Sequence, residues 1–321
     1  MSKFDDQYID LCKRILAHGE KITNYHKSDT RQSKTTSAIP DHVAQAKSSA
    51  STIRLPHQIL QFDLEEEFPI LTSKQVAFKT ATLEMLWIYQ QASNDVRWLK
   101  DRNIKIWNEW EIAEDGTYQG RNINEIFKKN HPTEPTTNFA HTIGTAYGWI
   151  VKRYDLINNL IDTLKNNPGN RRMVLSLWQN EWLDTAALPS CVWNSQWNLT
   201  DGRLNCLVTS RSSDVPLGLP FNIVQYATLC CLIAQSVGVK PGQLTFITND
   251  AHIYENQIPG IKEQISRYDQ ATKDGTLPPP PTLWLNPEIT DFYAFDNSAD
   301  LKDIRLEGYE HLGVIKMPVT E

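Results

Sequence analysis

Cysteine is scarce in this chain. Five thiols among 321 residues, with no Cys-x-x-Cys pair, exclude a disulfide-framed fold and a zinc ribbon. Cations are a minority too. The 32 Lys and Arg face 38 Asp and Glu, and a net charge of −6 argues against a dedicated nucleic-acid binder, which needs an excess of cations along a phosphate backbone. A small anionic ligand needs only a few local arginines and stays open. Long apolar runs are missing. The strongest, LCCLIAQSVGV at Leu229–Val239, is about half of what crosses a bilayer. The opening MSKFDDQY has no apolar signal-peptide core. Metal-ligand spacing is missing as well, since His252 in AHIYEN has no second His or Cys at ligand distance. A soluble, cytoplasmic, metal-free protein of enzyme size is expected, with 40% hydrophobic residues to build a core.

What is present organises as one α+β domain over 1–321, with a polar loop insertion at about 33–52 and a small insertion or subdomain at about 111–142. Helical spacing marks Tyr8–His18, Lys79–Tyr89 and Leu156–Asn167, the last stopped by Pro168-Gly169. Asn24–Thr52 is rich in Ser, Thr, Lys and Ala without apolar periodicity and reads as a long loop. Gln58–Leu64, Met173–Trp178, Val192–Leu199 and Leu204–Ser210 read as strands, and Asp201-Gly202 predicts a tight hairpin between the last two. Asn222–Val237 reads as a central buried helix, and Pro278–Pro281 as a rigid connector.

Several residues stand out chemically. Cys206, Cys230 and Cys231 lie inside apolar segments, where a thiol packs inertly. Cys191 opens a strand after Leu188-Pro189-Ser190, and nearby basic residues would favour its thiolate. Arg31, Arg171, Arg172 and Arg211, with Ser212, read singly as surface groups and jointly as phosphate ligands. Glu84 sits on a helix whose other residues are nearly all apolar. A carboxylate buried there tends toward a raised pKa and suits proton transfer, whereas a small helix rotation would expose it. Asn222 either caps the apolar helix or offers a donor and an acceptor to a planar heterocycle. His252 and Tyr254 share one strand face, Asp214 completes the polar set, and Trp107 with Trp110 forms a core pair or a stacking wall.

The order of FPILTSKQV (Phe68–Val76), LEMLW (Leu83–Trp87), IWNEW (Ile106–Trp110), NRR (Asn170–Arg172), PSC (Pro189–Cys191), SRSSDVPLGLPFN (Ser210–Asn222), NDAHIY (Asn249–Tyr254) and IKMPV (Ile315–Val319) resembles the thymidylate synthase family from about Phe62 onward. The resemblance implies a large mixed β-sheet with flanking helices, one sheet face forming a homodimer interface. It implies conversion of dUMP to dTMP with 5,10-methylenetetrahydrofolate as carbon and hydride donor. In that reading Cys191 adds to uracil C6, with Glu84 and Tyr147 in the proton-transfer network. Arg31, Arg211 and Ser212 bind phosphate within the subunit, and Arg171 and Arg172 reach in from the partner. Asn222 meets the uracil edge, and His252 with Tyr254 the ribose 3′-hydroxyl. Asp214 meets the pterin, Trp107 and Phe221 line the folate side, and Lys74 meets its glutamate tail. No metal, membrane or nucleic-acid partner is implied.

Four positions depart from the usual family pattern: Val192 replaces a His, Ser210 a Gln, the Arg31 loop lacks Asp-Arg-Thr, and the end is Val-Thr-Glu321. Cys-Val also occurs in a divergent bacterial and phage branch of the family. Two other readings stay open. One is a pyrimidine hydroxymethylase of the same superfamily, in which water replaces hydride. The other is a catalytically impaired homologue kept for nucleotide or RNA binding.

Overall fold

The structure is a computed structural model and describes residues 2–23 and 51–319. Arg31, Glu321 and nearly all of the expected 33–52 loop lie outside the described residues. Helix α1 (Lys3–His18) starts at Ser2, whose hydroxyl accepts the Asp5 N–H, and buries Tyr8, Ile9, Leu11, Cys12 and Ile15 at the expected spacing. Strands β1 (Glu20–Ile22) and β2 (Thr52–Asp63) follow. β2 begins six residues before the strand expected at Gln58, because its pairing runs on through Pro56 and the left-handed His57. Helices α2 (Phe78–Tyr89) and α3 (Val96–Lys100) come next.

Residues 111–142 hold β3 (Thr117–Tyr118), β4 (Arg121–Asn122) and α4 (Ile123–Asn130). Their polar composition is an outer surface. Ile112, Ile123, Phe127 and Phe139 join the main core, and Phe127 stacks on Trp182 at 5.9 Å. Helices α5 (Gly148–Arg153) and α6 (Leu156–Asn166) lead to the edge strand β5 (Val174–Ser176), shorter than the strand expected over Met173–Trp178.

Strands β6 (Val192–Thr200) and β7 (Arg203–Ser210) form the predicted hairpin. Asp201 (φ 53°) and Gly202 (φ 71°) both take the left-handed conformation that a two-residue turn needs to match strand twist. After β8 (Ser213–Asp214) the chain enters α7 (Gly218–Val237), a crossover that delivers β9 (Lys240–Tyr254) parallel to β7. Helix α8 (Ile258–Asp274) and the paired β10 (Thr282–Leu285) and β11 (Ile304–Glu307) complete the fold.

The main sheet runs β1-β2-β9-β7-β6-β5, with β8 added beside β9. It is mixed, since β9 pairs antiparallel with β2 and parallel with β7 and β8. Helix α1 packs on β2, α7 on β7 and β9, and α2 on α7, and their buried side chains belong to the core. Along β7, Leu204, Cys206, Val208 and Ser210 are buried, whereas Arg203, Asn205, Leu207 and Thr209 are half-buried. The half-buried row continues to Ile59 and Val174, two of the large exposed apolar side chains. No described helix is long and apolar enough to cross a membrane.

Candidate active site

Cys191 precedes β6 and is half-buried, while Cys12, Cys206, Cys230 and Cys231 are buried. Burial pushes the Cys12 and Cys231 thiols up to about 12 and those of Cys206 and Cys230 well above the usual range. Cys191 is therefore the accessible thiol among the described residues.

The β6–β7 hairpin returns Arg211 to its side. The Arg211 main-chain N–H donates to the Cys191 carbonyl at 2.9 Å. Its Nε donates to Ser190 O at 3.1 Å, its Nη2 to Pro189 O at 2.9 Å, and Nη2 also lies 3.7 Å from Cys191 Sγ. The guanidinium thus ties down the nucleophile's loop and faces the sulfur. Ser212 is half-buried between β7 and β8. Ser210 is buried, with Oγ 3.2 Å from Cys191 O and 2.9 Å from Ser212 O, so this hydroxyl supports the loop.

Tyr147 meets the same loop from the other side, its hydroxyl accepting the Cys191 N–H at 3.0 Å. Its backbone (φ 47°, ψ −107°) is strained for a non-glycine residue. The next residue must be small, because a Cβ on Gly148 would sit 1.9 Å from Ser93 O. Burial pushes the Tyr147 hydroxyl well above the usual tyrosine range.

Glu84 is buried on α2, as its apolar surroundings suggested. Its Oε1 accepts from Trp107 Nε1 at 2.7 Å and its Oε2 from Gln225 Nε2 at 2.6 Å. Burial raises its pKa to about 7, and the two donors only partly oppose the shift. Trp107 packs edge-on against Trp110 and Tyr147, with ring centres 5.5 and 5.3 Å away, so it belongs to the core and reaches the carboxylate at once. Asn222 is no helix cap. Helix α7 begins at Gly218, and Asn222 Nδ2 donates to Gln225 Oε1 at 3.1 Å one turn further on. Phe221 beside it is half-buried against the core.

Asp214 is mostly buried. Its carboxylate accepts from Leu217 N and Gln257 Nε2, both at 3.0 Å, and burial raises its pKa. Gln257 Nε2 also reaches Pro318 O at 3.1 Å, which ties the C-terminal segment to Asp214. Lys74 is buried rather than open to a charged tail. Its ammonium donates to Pro216 O, and burial lowers its pKa to about 8. The Asp5 carboxylate holds the Lys74 segment, accepting from Thr72 N at 2.8 Å and Ser73 N at 2.9 Å.

On β9, His252 and Tyr254 share a face, with ring centres 5.1 Å apart. His252 Nδ1 lies 3.0 Å from Asp250 Oδ1, and Arg54 Nη1 donates to Asp250 Oδ2 at 2.7 Å. Burial pushes Asp250 up, but His252 and Arg54 outweigh it and hold the carboxyl below its usual range.

Arg171 and Arg172 do not join the group. Both are exposed before β5, where Met173 O accepts the Trp197 N–H. That register sets Arg172 level with Asn198 on β6, roughly 20 Å along the strand from Cys191 at 3.3 Å per residue. Reasoning from sequence missed Gln225, Gln257, Arg54 and Asp250. For Gln225 a signal existed, a polar side chain in the continuously apolar run of α7.

Glu84, Tyr147, Val192, Asn222 and Gln225 line a cavity of about 40 Å³, room for a water or two. A groove of about 670 Å³ between residues 64–68 and 280–285 is larger, but it holds none of these groups, and its thiol, Cys231, is held protonated. Glu84, Tyr147 and Asn222 therefore meet at the smaller space, with Cys191 joined to it through the Tyr147 hydroxyl.

The sequence model of the thymidylate synthase family matches residues 6–321. The chain belongs to the thymidylate synthase family. Among relatives in that family, the thymidylate synthase of Clostridium beijerinckii is 44% identical over 320 residues, covering 100% of both chains. The thymidylate synthase of Bacillus phage phi3T is 34% identical, covering 97% of this chain and 96% of its own. The solved thermostable thymidylate synthase A from Bacillus subtilis aligns with a TM-score of 0.74 at 31% identity over 99% of each chain. The mixed sheet with flanking helices is that family's fold. The match also reaches well before Phe62, into the segment where few motifs are legible.

Proposed function

We propose that this enzyme methylates dUMP to dTMP through a covalent Cys191 adduct at uracil C6, with release of dihydrofolate. Family membership makes it a thymidylate synthase in the general sense, and the adduct and the residue roles are the finer reading. The observation that carries it is the convergence of Cys191, Arg211, Tyr147 and Glu84: a thiol beside a cation, its N–H held by Tyr147, which lines one cavity with Glu84.

When bound, 5,10-methylenetetrahydrofolate supplies the one-carbon unit and the hydride. Trp107, Phe221 and Asp214 would flank it. Lys74, turned inward onto Pro216, instead supports the Asp214 loop. Cys191 Sγ bonds to C6 as the C5–C6 π pair moves toward C5 and O4, and Asn222 meets the N3/O4 edge. Once C5 has gained its carbon, Glu84 receives the C5 proton through water. A carboxyl group with a pKa near 7 is suited to accept and return it. Loss of that proton forms a C5=CH2 bond as the carbon's bond to the folate nitrogen breaks. Hydride addition to this CH2 shifts the double bond to C5=C6 and expels Sγ, freeing dTMP, dihydrofolate and the thiolate.

Arg211, Ser212 and Arg31 bind the phosphate, and His252 with Tyr254 holds the ribose 3′-hydroxyl. Arg171 and Arg172 serve the site of a second copy, which their distance from Cys191 supports. The half-buried sheet face around Ile59, Leu207 and Val174 is the surface on which the two copies pair.

The deciding experiment incubates the purified chain with dUMP and the reduced folate. One dihydrofolate per nucleotide heavier by one CH2 is expected. A hydroxymethyl nucleotide formed without dihydrofolate overturns the assignment.

A further inference from the structure

Glu84 and Asn222 have different tasks in the proposed reaction, yet one side chain touches both. Gln225 lies one turn after Asn222 on α7 and is buried. Its Nε2 donates to Glu84 Oε2 at 2.6 Å, and its Oε1 accepts from Asn222 Nδ2 at 3.1 Å. Val192, on the wall of the same cavity, has no polar atom with which to share this work.

The donor inventory gives this chain a direction. An ionised carboxylate only accepts, so it draws the NH2 end of Gln225 toward itself. The carbonyl end then faces Asn222, which must offer an N–H. Asn222 keeps its Oδ1 and a second N–H for a ligand. A free asparagine amide is ambidextrous. Turned one way it meets the N3–H donor and O4 acceptor of uracil, and turned the other way it meets the N3 acceptor and 4-amino donor of cytosine. Reversal here would break the bond to Gln225 and leave buried polar groups unpaired.

We infer that Gln225 is a positioning and specificity residue, locking Asn222 in the orientation that reads uracil and holding Glu84 in register with it. The proposal rests on the assignment of a uracil nucleotide to this site. It extends that assignment, because no direct contact between Gln225 and the substrate is required.

The test compares the wild-type chain with Gln225→Met, similar in length but unable to hydrogen-bond, and with Gln225→Glu. Calorimetry with dUMP and dCMP gives the binding ratio without any turnover, so a failure of the reaction assignment is read separately, from the wild-type product assay. Gln225→Met is expected to reduce the preference for dUMP over dCMP about tenfold, the scale of one buried hydrogen bond. It should also cut kcat by about tenfold or more and move the acid limb of the kcat–pH profile upward, since the Glu84 carboxylate loses a donor.

Gln225→Glu keeps the fold testable should the methionine variant be unstable. With one proton shared between the two carboxyls, position 225 can still donate to Glu84 and accept from Asn222. Because a carboxylate at 225 accepts from Asn222 at any pH, preference for dUMP should persist, whereas kcat should fall as pH rises and the proton bridging to Glu84 is lost. An unchanged dUMP/dCMP ratio and an unchanged pH profile in Gln225→Met, with only a lower melting temperature, overturn the proposal. So does a dUMP/dCMP ratio in Gln225→Glu as low as that expected of Gln225→Met.

Discussion

The hydroxyl of Tyr147 accepts the backbone N–H of Cys191 at 3.0 Å, so the nucleophile's main chain hangs on a residue that is itself held in a strained left-handed conformation. The strain is maintained by packing, with Gly148 pressed on Ser93 and the Tyr147 ring against Trp107. Tyr147→Phe keeps the ring and removes the acceptor. We expect kcat to fall about tenfold with little change in the KM for dUMP, because the lost bond aligns the attacking group more than it binds substrate. Steady-state kinetics on the folded variant decides between this split and a change confined to KM.

Cys191 addition can be read without the folate. Attack at C6 makes C5 basic, so the wild-type enzyme in D2O should exchange the C5 hydrogen of dUMP for deuterium. Cys191→Ala should still bind dUMP by calorimetry yet show no exchange and no turnover. Exchange persisting in the alanine variant would remove Cys191 from the role of nucleophile.

Glu84 makes stability depend on pH, and the sign is fixed by its raised pKa of about 7 in the fold against 4.5 for the ordinary carboxyl. Between those values the folded chain binds more protons than the unfolded one. The stabilising contribution is complete below pH 4.5 and fades as pH rises through 7, a total of roughly 3 kcal/mol. Glu84→Gln cannot titrate. Its stability relative to wild type should improve from pH 4.5 to 7 in urea titrations, while kcat drops about 10²- to 10⁴-fold. Parallel stability–pH curves for the two proteins would contradict a buried, proton-holding carboxyl.

Arg172 and Cys191 lie at different ends of β6, which makes subunit sharing testable by mixing. Cys191→Ala and Arg172→Ala chains, each impaired alone, should regain activity after subunit exchange, since one site in each mixed dimer has both a thiol and a full arginine set. About a quarter of wild-type turnover is expected if half the dimers are mixed and one of their two sites works. Exchange proven by mass tagging, with no recovered activity, would locate the arginines' work within their own chain.

Much of the scaffold was legible because its signals are local. The spacing of Ile9, Cys12 and Ile15, the apolar stretch of α2 and the Asp201-Gly202 turn each follow from neighbours in the chain. Boundaries were less legible where a residue plays against type. Pro56 and the left-handed His57 hide the first half of β2, and Gly218 with Pro220 disguises the first turn of α7, where proline costs little. In the site, Cys191, Arg211 and Glu84 announced themselves by chemistry or by an apolar setting. Gln225 had the same setting as Glu84, but its partner is 141 positions away, and an uncharged amide in a helix suggests nothing until that pairing is seen. Lys74 illustrates the opposite case. A lysine is expected at the surface, and only the fold reveals its ammonium inside on the Pro216 carbonyl.

The ladder between β2 and β9 also sets a timetable for the chain's own making. Arg54 and Asp250, joined across it, are separated by 196 positions. At ribosomal speeds of about 5–20 residues per second, β2 waits roughly 10–40 s for its main partner to emerge. During that interval a long strand has an unpaired edge, an invitation to the wrong neighbour. Ribosome-held chains ending before Lys240 should be cut readily by protease within β2, and those extended beyond Tyr254 should resist. The strand that carries His252 and Tyr254 thus also closes the period in which the edge of β2 is open.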